Sequence, residues 1–256
     1  MARGTYMKQE WNHLIQKNFD NAAATYNDHA NIQQTIALEL TKLCSQKSIP
    51  EGIWVDLGSG TGLLAEALES FNPSQQIIRI DNSKQMISQQ RSQCLTKIWD
   101  LNLGLPDFQE PPKLLASNFV LHWLNDPTKQ LKEWFNVLDF GGWIALSVPV
   151  QGSFPEWYEA TSKACVPCTA LELPSSTNLL KVFPKKAIHY KKLIKVRQKA
   201  QSINALFKTM TNVGAQASQH TPLSIGQWRK LKNSWPIMKD REINLTWLIQ
   251  ILLVKK

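Results

Sequence analysis

Short apolar runs rich in β-formers recur along this chain, each followed by glycine or an acid and then by a helix-period pattern. Ile53-Trp54-Val55 runs into Asp56-Leu57-Gly58-Ser59-Gly60-Thr61-Gly62, and a helix is predicted to start near Gly62 and continue through Leu63–Leu68. Gln76–Ile80 reads as a second strand ending on Asp81, and Thr96–Trp99 as a third ending on Asp100. Ser117–Leu124 marks the exit of a fourth, though the stretch leading into it, Glu110–Ser117, leaves its start undefined. Asp126 and Pro127 predict a helix through Val137, with the acid at the cap and the proline in the first turn. Gly141-Gly142 then breaks the chain before a fifth buried strand, Trp143–Val148. Leu193–Ser202 alternates apolar and charged residues as a half-exposed edge strand does, and Leu245–Val254 closes the sheet. Residues 8–44 read as helical and precede the sheet, while 160–190 are rich in Pro and Ser and carry no motif. Strands alternating with helices in this order predict an α/β domain built on a mainly parallel sheet.

The glycine loop is the chemical centre of that pattern. Glycines let a loop turn sharply and let a ligand lie against bare backbone, and a helix N-terminus adds unpaired N–H groups. A dinucleotide loop reads G-x-G-x-x-G; here the third glycine comes one residue early, and Asp56 stands two residues before the first. Asp81 falls 19 residues after Gly62, at the carboxyl end of the neighbouring strand, placed to accept from ribose hydroxyls. Each acid taken singly also suits an ordinary helix cap. Together, the D-x-G-x-G-x-G loop, the order Asp81-Asn82-Ser83-Lys84-Gln85-Met86 and the later Asp100 resemble the motifs of class I S-adenosylmethionine-dependent methyltransferases. The resemblance implies S-adenosylmethionine (SAM) as cofactor and a Rossmann-like, mainly parallel seven-stranded sheet flanked by helices. It implies that Asp56, Gly58, Ser59, Gly60 and Gly62 cradle the cofactor. Asp81, Asn82 and Met86 would hold the ribose side, Asp100 and Leu101 the adenine, and Asn118 the cleft beyond the fourth strand.

A second resemblance is narrower. Phe19-Asp20-Asn21-Ala22-Ala23-Ala24-Thr25-Tyr26-Asn27-Asp28-His29-Ala30, with Gln33 beyond, is similar to the N-terminal signature of malonyl-acyl carrier protein O-methyltransferases of biotin synthesis. Ser117-Asn118-Phe119-Val120-Leu121-His122-Trp123 resembles that family's Ser-Asn-x-x-x-Gln-Trp, with His122 in place of Gln. Gln151–Trp157 and the Val213-Gly214-Ala215 helix end also resemble it, whereas Glu110–Ser117 departs from it. The resemblance implies an N-terminal arm over 1–44 that folds across the SAM pocket, a methyltransferase domain over 45–256, and a helical insert at about 203–240. Tyr26 would then be an active-site residue with His29 and Gln33 beside it, and Lys208 would match a basic residue of some members. Tyr26 also suits plain packing of the arm, and His122 a polar helix-start residue.

Charge adds a partner. The net charge of +9 hides an asymmetry. From Leu180 onward there are 16 Lys and Arg against only Asp240 and Glu242, so the preceding part is net acidic. Such a segment suits nucleic acid, an anionic membrane or an acidic protein; the family resemblance points to an acidic acyl carrier docking near Lys185, Lys186, Lys191, Lys192, Lys195, Arg197 and Lys199. Amino-group methyltransferases commonly carry Asn/Asp-Pro-Pro-aromatic where this chain has Ser117-Asn118-Phe119-Val120, which weighs against base-nitrogen methylation and leaves small acids open. Cys165 and Cys168 have metal or redox spacing but no second pair, so no metal site is expected. The first residues lack an apolar signal core and Trp247–Val254 is too short to span a bilayer, so a cytoplasmic protein without a membrane partner is expected. Methylation of another small acid or of RNA, and a non-catalytic nucleic-acid-binding scaffold, stay open at this point.

Overall fold

The computed structural model describes residues 2–237 and 242–256; the end of the expected insert, 238–240, therefore lies outside the described residues. The chain begins with α1 (Ala2–Ala22), a 3-10 turn at Ala23–Thr25, α2 (Tyr26–His29) and α3 (Asn31–Ser45). There follow β1 (Trp54–Leu57), α4 (Leu63–Phe71), β2 (Ile77–Asp81), α5 (Lys84–Ile87), β3 (Thr96–Ile98) and β4 (Leu114–Asn118). The second half holds α6 (Pro127–Val137), β5 (Trp143–Pro149), α7 (Pro155–Ala164), α8 (Ser176–Lys181), β6 (Ile188–Ala200), α9 (Ile203–Asn212), α10 (Ile225–Ser234) and β7 (Ile243–Lys255). Together the strands make a seven-stranded sheet in the order β3-β2-β1-β4-β5-β7-β6. Strands β3, β2, β1, β4 and β5 pair in parallel, and β7 runs antiparallel to both β5 and β6. This is the Rossmann-like arrangement expected from the alternation of apolar runs and helices.

The elements follow from their residues. Every position of β1 and β5 is buried, as parallel strands covered on both faces require. In α6, the Asp126 carboxylate accepts from the Lys129 N–H at 2.9 Å and Pro127 takes the first turn, where its missing N–H costs nothing. Two apolar clusters form the core, one on each face of the sheet: Val55, Leu57, Ile144, Leu146 and Trp134 lie in one, Trp54, Leu114, Ala145, Leu253 and the arm's Ile36 and Leu40 in the other.

Three local expectations need correction. The fourth strand ends at Asn118, and Leu121–Trp123 forms a 3-10 turn, because a positive φ of 60° at Phe119 turns the chain out of the sheet. The edge strand begins at Ile188, five residues before the alternation becomes visible, since a register shift between Ile188 and Tyr190 breaks its period. The featureless stretch 160–190 holds the end of α7, all of α8 and a 3-10 turn at Lys185–Ala187. Cys165, exposed at the end of α7, and half-buried Cys168 form no disulfide. No helix among the described residues is long and apolar enough to cross a membrane.

Candidate functional site

The loop after β1 is held from three sides. Gly58 and Ser59 donate their N–H groups to the Ile80 carbonyl at 2.8 and 2.9 Å, and Gly60 donates to Asp81 Oδ2 at 2.8 Å. A side chain at Gly58 would drive its Cβ to 2.4 Å from Val120, so only glycine lets the β4 exit close over the loop. At Gly60 (φ 53°) a Cβ would meet nothing within 4 Å. The bare backbone there fronts open space, as an approaching ligand needs.

Beneath the loop lies a polar layer in which Gln90 and Arg79 carry no sequence signature. Gln90, buried, donates to the Gly60 carbonyl at 2.6 Å and to Ser59 Oγ at 3.1 Å, and accepts from Arg79 Nη1 at 3.3 Å. Arg79 is fully buried in β2 and pairs with Glu69 of α4 at 2.7 Å. Asp56 belongs to this layer too. It is buried and accepts from the Ala65 N–H at 3.2 Å, tying β1 to the first turn of α4. Burial pushes its carboxyl up to about 7, against the pull of Arg79 and the Ala65 N–H. Asp56, Ser59 and Gly62, expected to cradle the cofactor, sit in or behind this polar layer. None lines the cavity. Gly62 is instead a packing position, where an added Cβ would lie 2.7 Å from Arg79 Nη1.

Above the loop a cavity of about 720 Å3, its mouth included, opens at the carboxyl ends of β1, β2 and β4, the place where open α/β sheets take ligands. The remaining expected cofactor residues all line it: Gly58, Gly60, Asp81, Asn82, Met86, Asp100, Leu101 and Asn118. Asp81, on the cavity wall, uses one oxygen for Gly60 and the other for the Ser83 N–H (2.8 Å). Burial pushes its carboxyl up, while the Ser83, Gly60 and Asn82 N–H groups pull it down. Asp100 accepts from the backbone and side chain of Asn102 at 2.9 and 3.0 Å and turns the chain so that Leu101 faces inward.

The arm forms the opposite wall through Asn12, Ile15, Phe19 and Tyr26. It is pinned at four points. Gln16 donates to the Asn82 carbonyl (2.9 Å) and Ser83 to Asp20 (2.5 Å). Thr61 donates to Asn27 (2.6 Å), and Asn118 on β4 donates to the Gln33 main-chain carbonyl (2.9 Å). Asn12 and Ile15 escaped the sequence reading, although the apolar spacing Trp11, Ile15, Phe19 already marks one helix face. Burial first, and the charge of Asp81 second, push the Tyr26 hydroxyl above the ordinary tyrosine range, so it stays a protonated donor.

A second cavity of about 430 Å3, mouth included, adjoins the first and shares Phe19, Tyr26, Phe119 and Trp123 with it. The rest of its wall includes Gln33, His122, Phe154, Val213, Ala215 and Trp247. Two expected active-site residues are missing here. His29 is exposed at the end of α2, and Lys208 is exposed on α9; neither lines either cavity. On both helices the buried face is taken by other residues, Leu206 and Met210 in α9 and Ala30 just beyond α2.

These features fit SAM: a diol acceptor in Asp81, an acid beside apolar Met86 and Leu101 for an adenine, and open loop backbone for the amino-acid end. Residues 55–146 match the family model described as a methyltransferase domain. The fold agrees with a solved structure from Bacillus halodurans C-125, at a TM-score of 0.58 and 15% identity, covering 85% of this chain and 98% of that one. It agrees also with the plantazolicin methyltransferase BpumL in complex with SAH (TM-score 0.50, 11% identity, covering 98% and 99%). The domain is therefore a class I methyltransferase domain, and its cofactor is S-adenosylmethionine.

Particular relatives stand closer in sequence. Over 148 residues the chain is 30% identical to malonyl-[acyl-carrier protein] O-methyltransferase 2 of Coxiella burnetii, covering 56% of this chain and 59% of that protein. Over 156 residues it is 28% identical to the malonyl-[acyl-carrier protein] O-methyltransferase of Bacillus anthracis, covering 59% and 58%. The chain thus spans just under three-fifths of the length of the curated relatives it matches.

Proposed function

We propose that this chain is a SAM-dependent carboxyl O-methyltransferase acting on the free carboxylate of a malonyl group carried by an acyl carrier protein, as its resemblance to the biotin-synthesis enzymes implies. The observation that carries this reading is the makeup of the second cavity. Its described lining holds no carboxylate and no lysine or arginine, and its one titratable side chain besides Tyr26 is His122, whose burial lowers its pKa to about 3. A pocket with so weak a base suits a nucleophile that arrives already ionised. A carboxylate does. SAM supplies an electrophilic methyl on a sulfonium, whose positive charge also attracts an acceptor carboxylate.

The residues present do the remaining tasks. Aromatic walls of Phe19, Phe119, Trp123, Phe154 and Trp247 exclude water from the anion, while Tyr26 offers a hydroxyl where the two cavities meet. Holding two reactants in line contributes on the order of 7–11 kcal/mol to such a displacement. Lys208 takes no part in this reading.

The carrier belongs to the same reading. Lys191, Lys195 and Arg197 are exposed at alternate positions of β6 and so share one sheet face, while Lys199 pairs with Glu242. Lys185 and Lys186 are exposed in the turn before it, and Lys192 projects from the opposite face. The register carries residues 195–200 of β6 past the carboxyl end of β5, toward the end of the sheet where the cavities open. An acidic carrier bound there in the cytoplasm would deliver its arm beside the site.

The test is direct. Purified protein is incubated with SAM and malonyl-carrier, malonyl-coenzyme A or free malonate, and the methyl ester is read by mass spectrometry. Ester on the malonyl-carrier, formed faster than on the other two, is the expected result. SAM binding without ester on any malonyl donor overturns the reading.

A further inference from the structure

His122, a residue of the second cavity's wall, carries a buried nitrogen that the fold leaves unsatisfied. His122 sits in the 3-10 turn at the exit of β4, with only 9% of its surface exposed. Its ring lies 4.7 Å from that of Trp123 and 6.5 Å, edge-on, from that of Phe119, so packing fixes its orientation. Its Nδ1 is buried and has no hydrogen-bond partner among the described residues. A buried polar atom left unpaired carries a desolvation cost that native structures rarely keep without a use for it. The ring stands at a junction: it lines the second cavity and also an open groove of about 1750 Å3, mouth included, that runs outward past Asn125, Leu171, Leu173 and Asn178.

We propose that His122 is an acceptor-binding residue of this chain: from the wall shared by cavity and groove, a ring N–H of its neutral imidazole donates a hydrogen bond to the carboxylate awaiting methylation. The inference rests on the carboxylate reading above. Three polar side chains line the second cavity, and the other two, Tyr26 and Gln33, belong to the arm. His122 is the one supplied by the turn that leaves β4, on the sheet's side of the cavity. Burial keeps the imidazole uncharged at neutral pH. It therefore fixes the anion without giving it a proton, which would remove the nucleophile. The related signature has Gln at this position, and an amide is likewise a neutral donor; the exchange keeps the hydrogen bond and changes the geometry. No bond to carbon is made or broken at His122, and its proton stays on the ring throughout.

Two measurements test this. First, the SAH-loaded protein, with its histidine ring nitrogens labelled, is titrated with malonyl-pantetheine, malonate and acetate while the His122 nitrogen signals are followed by NMR. A saturable shift with a carboxylate, absent with the corresponding methyl ester, is expected. No shift with any carboxylate overturns the proposal, whether or not the protein turns over malonyl donors. Second, His122→Leu removes the polar atom and His122→Gln keeps a donor. KM for the malonyl donor is expected to rise at least about tenfold in His122→Leu, with SAM affinity within twofold of wild type and the rise largely reversed in His122→Gln. If His122→Leu does not fold, the NMR titration and the His122→Gln KM decide alone. Unchanged acceptor KM in a folded His122→Leu makes the nitrogen a packing compromise and sinks the proposal. Wild-type protein that methylates no malonyl donor, yet shifts its His122 signal with malonate, retires the proposed function and leaves this inference standing.

Discussion

Gly60 and Asp81, 21 positions apart, meet at 2.8 Å, the Gly60 N–H donating to Asp81 Oδ2. The same carboxylate receives the Ser83 N–H on its other oxygen. Asp81 thus shapes the loop and the β2 turn, and from the cavity wall it is the proposed acceptor for a ribose diol. Asp81→Asn would put an amide NH2 opposite one of these two donors, leaving N–H facing N–H. Hydrogen bonds to a charged group are worth about 1.5–3 kcal/mol each. Both Asp81→Asn and Asp81→Ala are expected to weaken SAM binding by at least about tenfold, read by calorimetry on folded protein. Wild-type affinity in either would detach Asp81 from the cofactor.

Gln90 makes a different prediction, because it touches the loop from below and is not part of the wall of the cavity above it. Gln90→Leu keeps the volume and removes the bonds to Gly60 and Ser59, each worth about 0.5–1.5 kcal/mol. It also takes a partner from buried Arg79. The expected outcome is a several-fold rise in KM for SAM with acceptor KM unchanged. Equal rises in both would point to general loosening.

Tyr26→Phe keeps the ring between the two cavities and deletes the hydroxyl. Turnover is expected to fall about tenfold or more if that hydroxyl orients a reactant in the transition state, with little change in melting temperature. A folded variant with wild-type turnover reduces Tyr26 to a packing residue of the arm.

Asp56 predicts a pH effect on stability. Its folded pKa of about 7 lies above the ordinary 3.8. Between those values the folded protein keeps a proton that the unfolded chain releases, so this group's contribution to stability is greatest below about pH 4 and declines as pH rises toward 7. Asp56→Asn keeps an oxygen for the Ala65 N–H and removes the titration. Its stability relative to wild type is expected to climb across that window, by at most about 1.4 kcal/mol per pH unit, and level off above 7. Urea melts across the range check it; a flat difference refutes the assignment.

The carrier surface predicts a salt effect. Exposed charges are screened beyond a Debye length of about 8–10 Å at ordinary salt. Raising ionic strength is expected to lower kcat/KM for malonyl-carrier far more than for malonyl-pantetheine, and Lys195→Glu combined with Arg197→Glu to mimic high salt. Equal salt dependence for both donors removes β6 as the docking face.

The sequence by itself determined where β1 and β2 end and which residues stand there. An apolar run meeting Asp or Gly is a local event, and parallel strands bring their carboxyl ends to one edge whatever the loops do. Asp81, Asp100, Asn118, Gly58 and Gly60 could therefore be assigned to one cleft before any coordinates, and Phe19 and Tyr26 to the arm beside it. Only the tertiary structure decided which way side chains face once helices cover the sheet. It turned Asp56 toward Ala65 of α4 and left His29 and Lys208 on the outside. It also set Gln90 under a loop 30 residues away and left the His122 nitrogen buried without a partner among the described residues. Such outcomes depend on contacts between distant segments, where the burial of one apolar face dictates what its polar neighbours can reach. A chain's local pattern names the groups at a strand end; packing alone chooses which of them a ligand will touch.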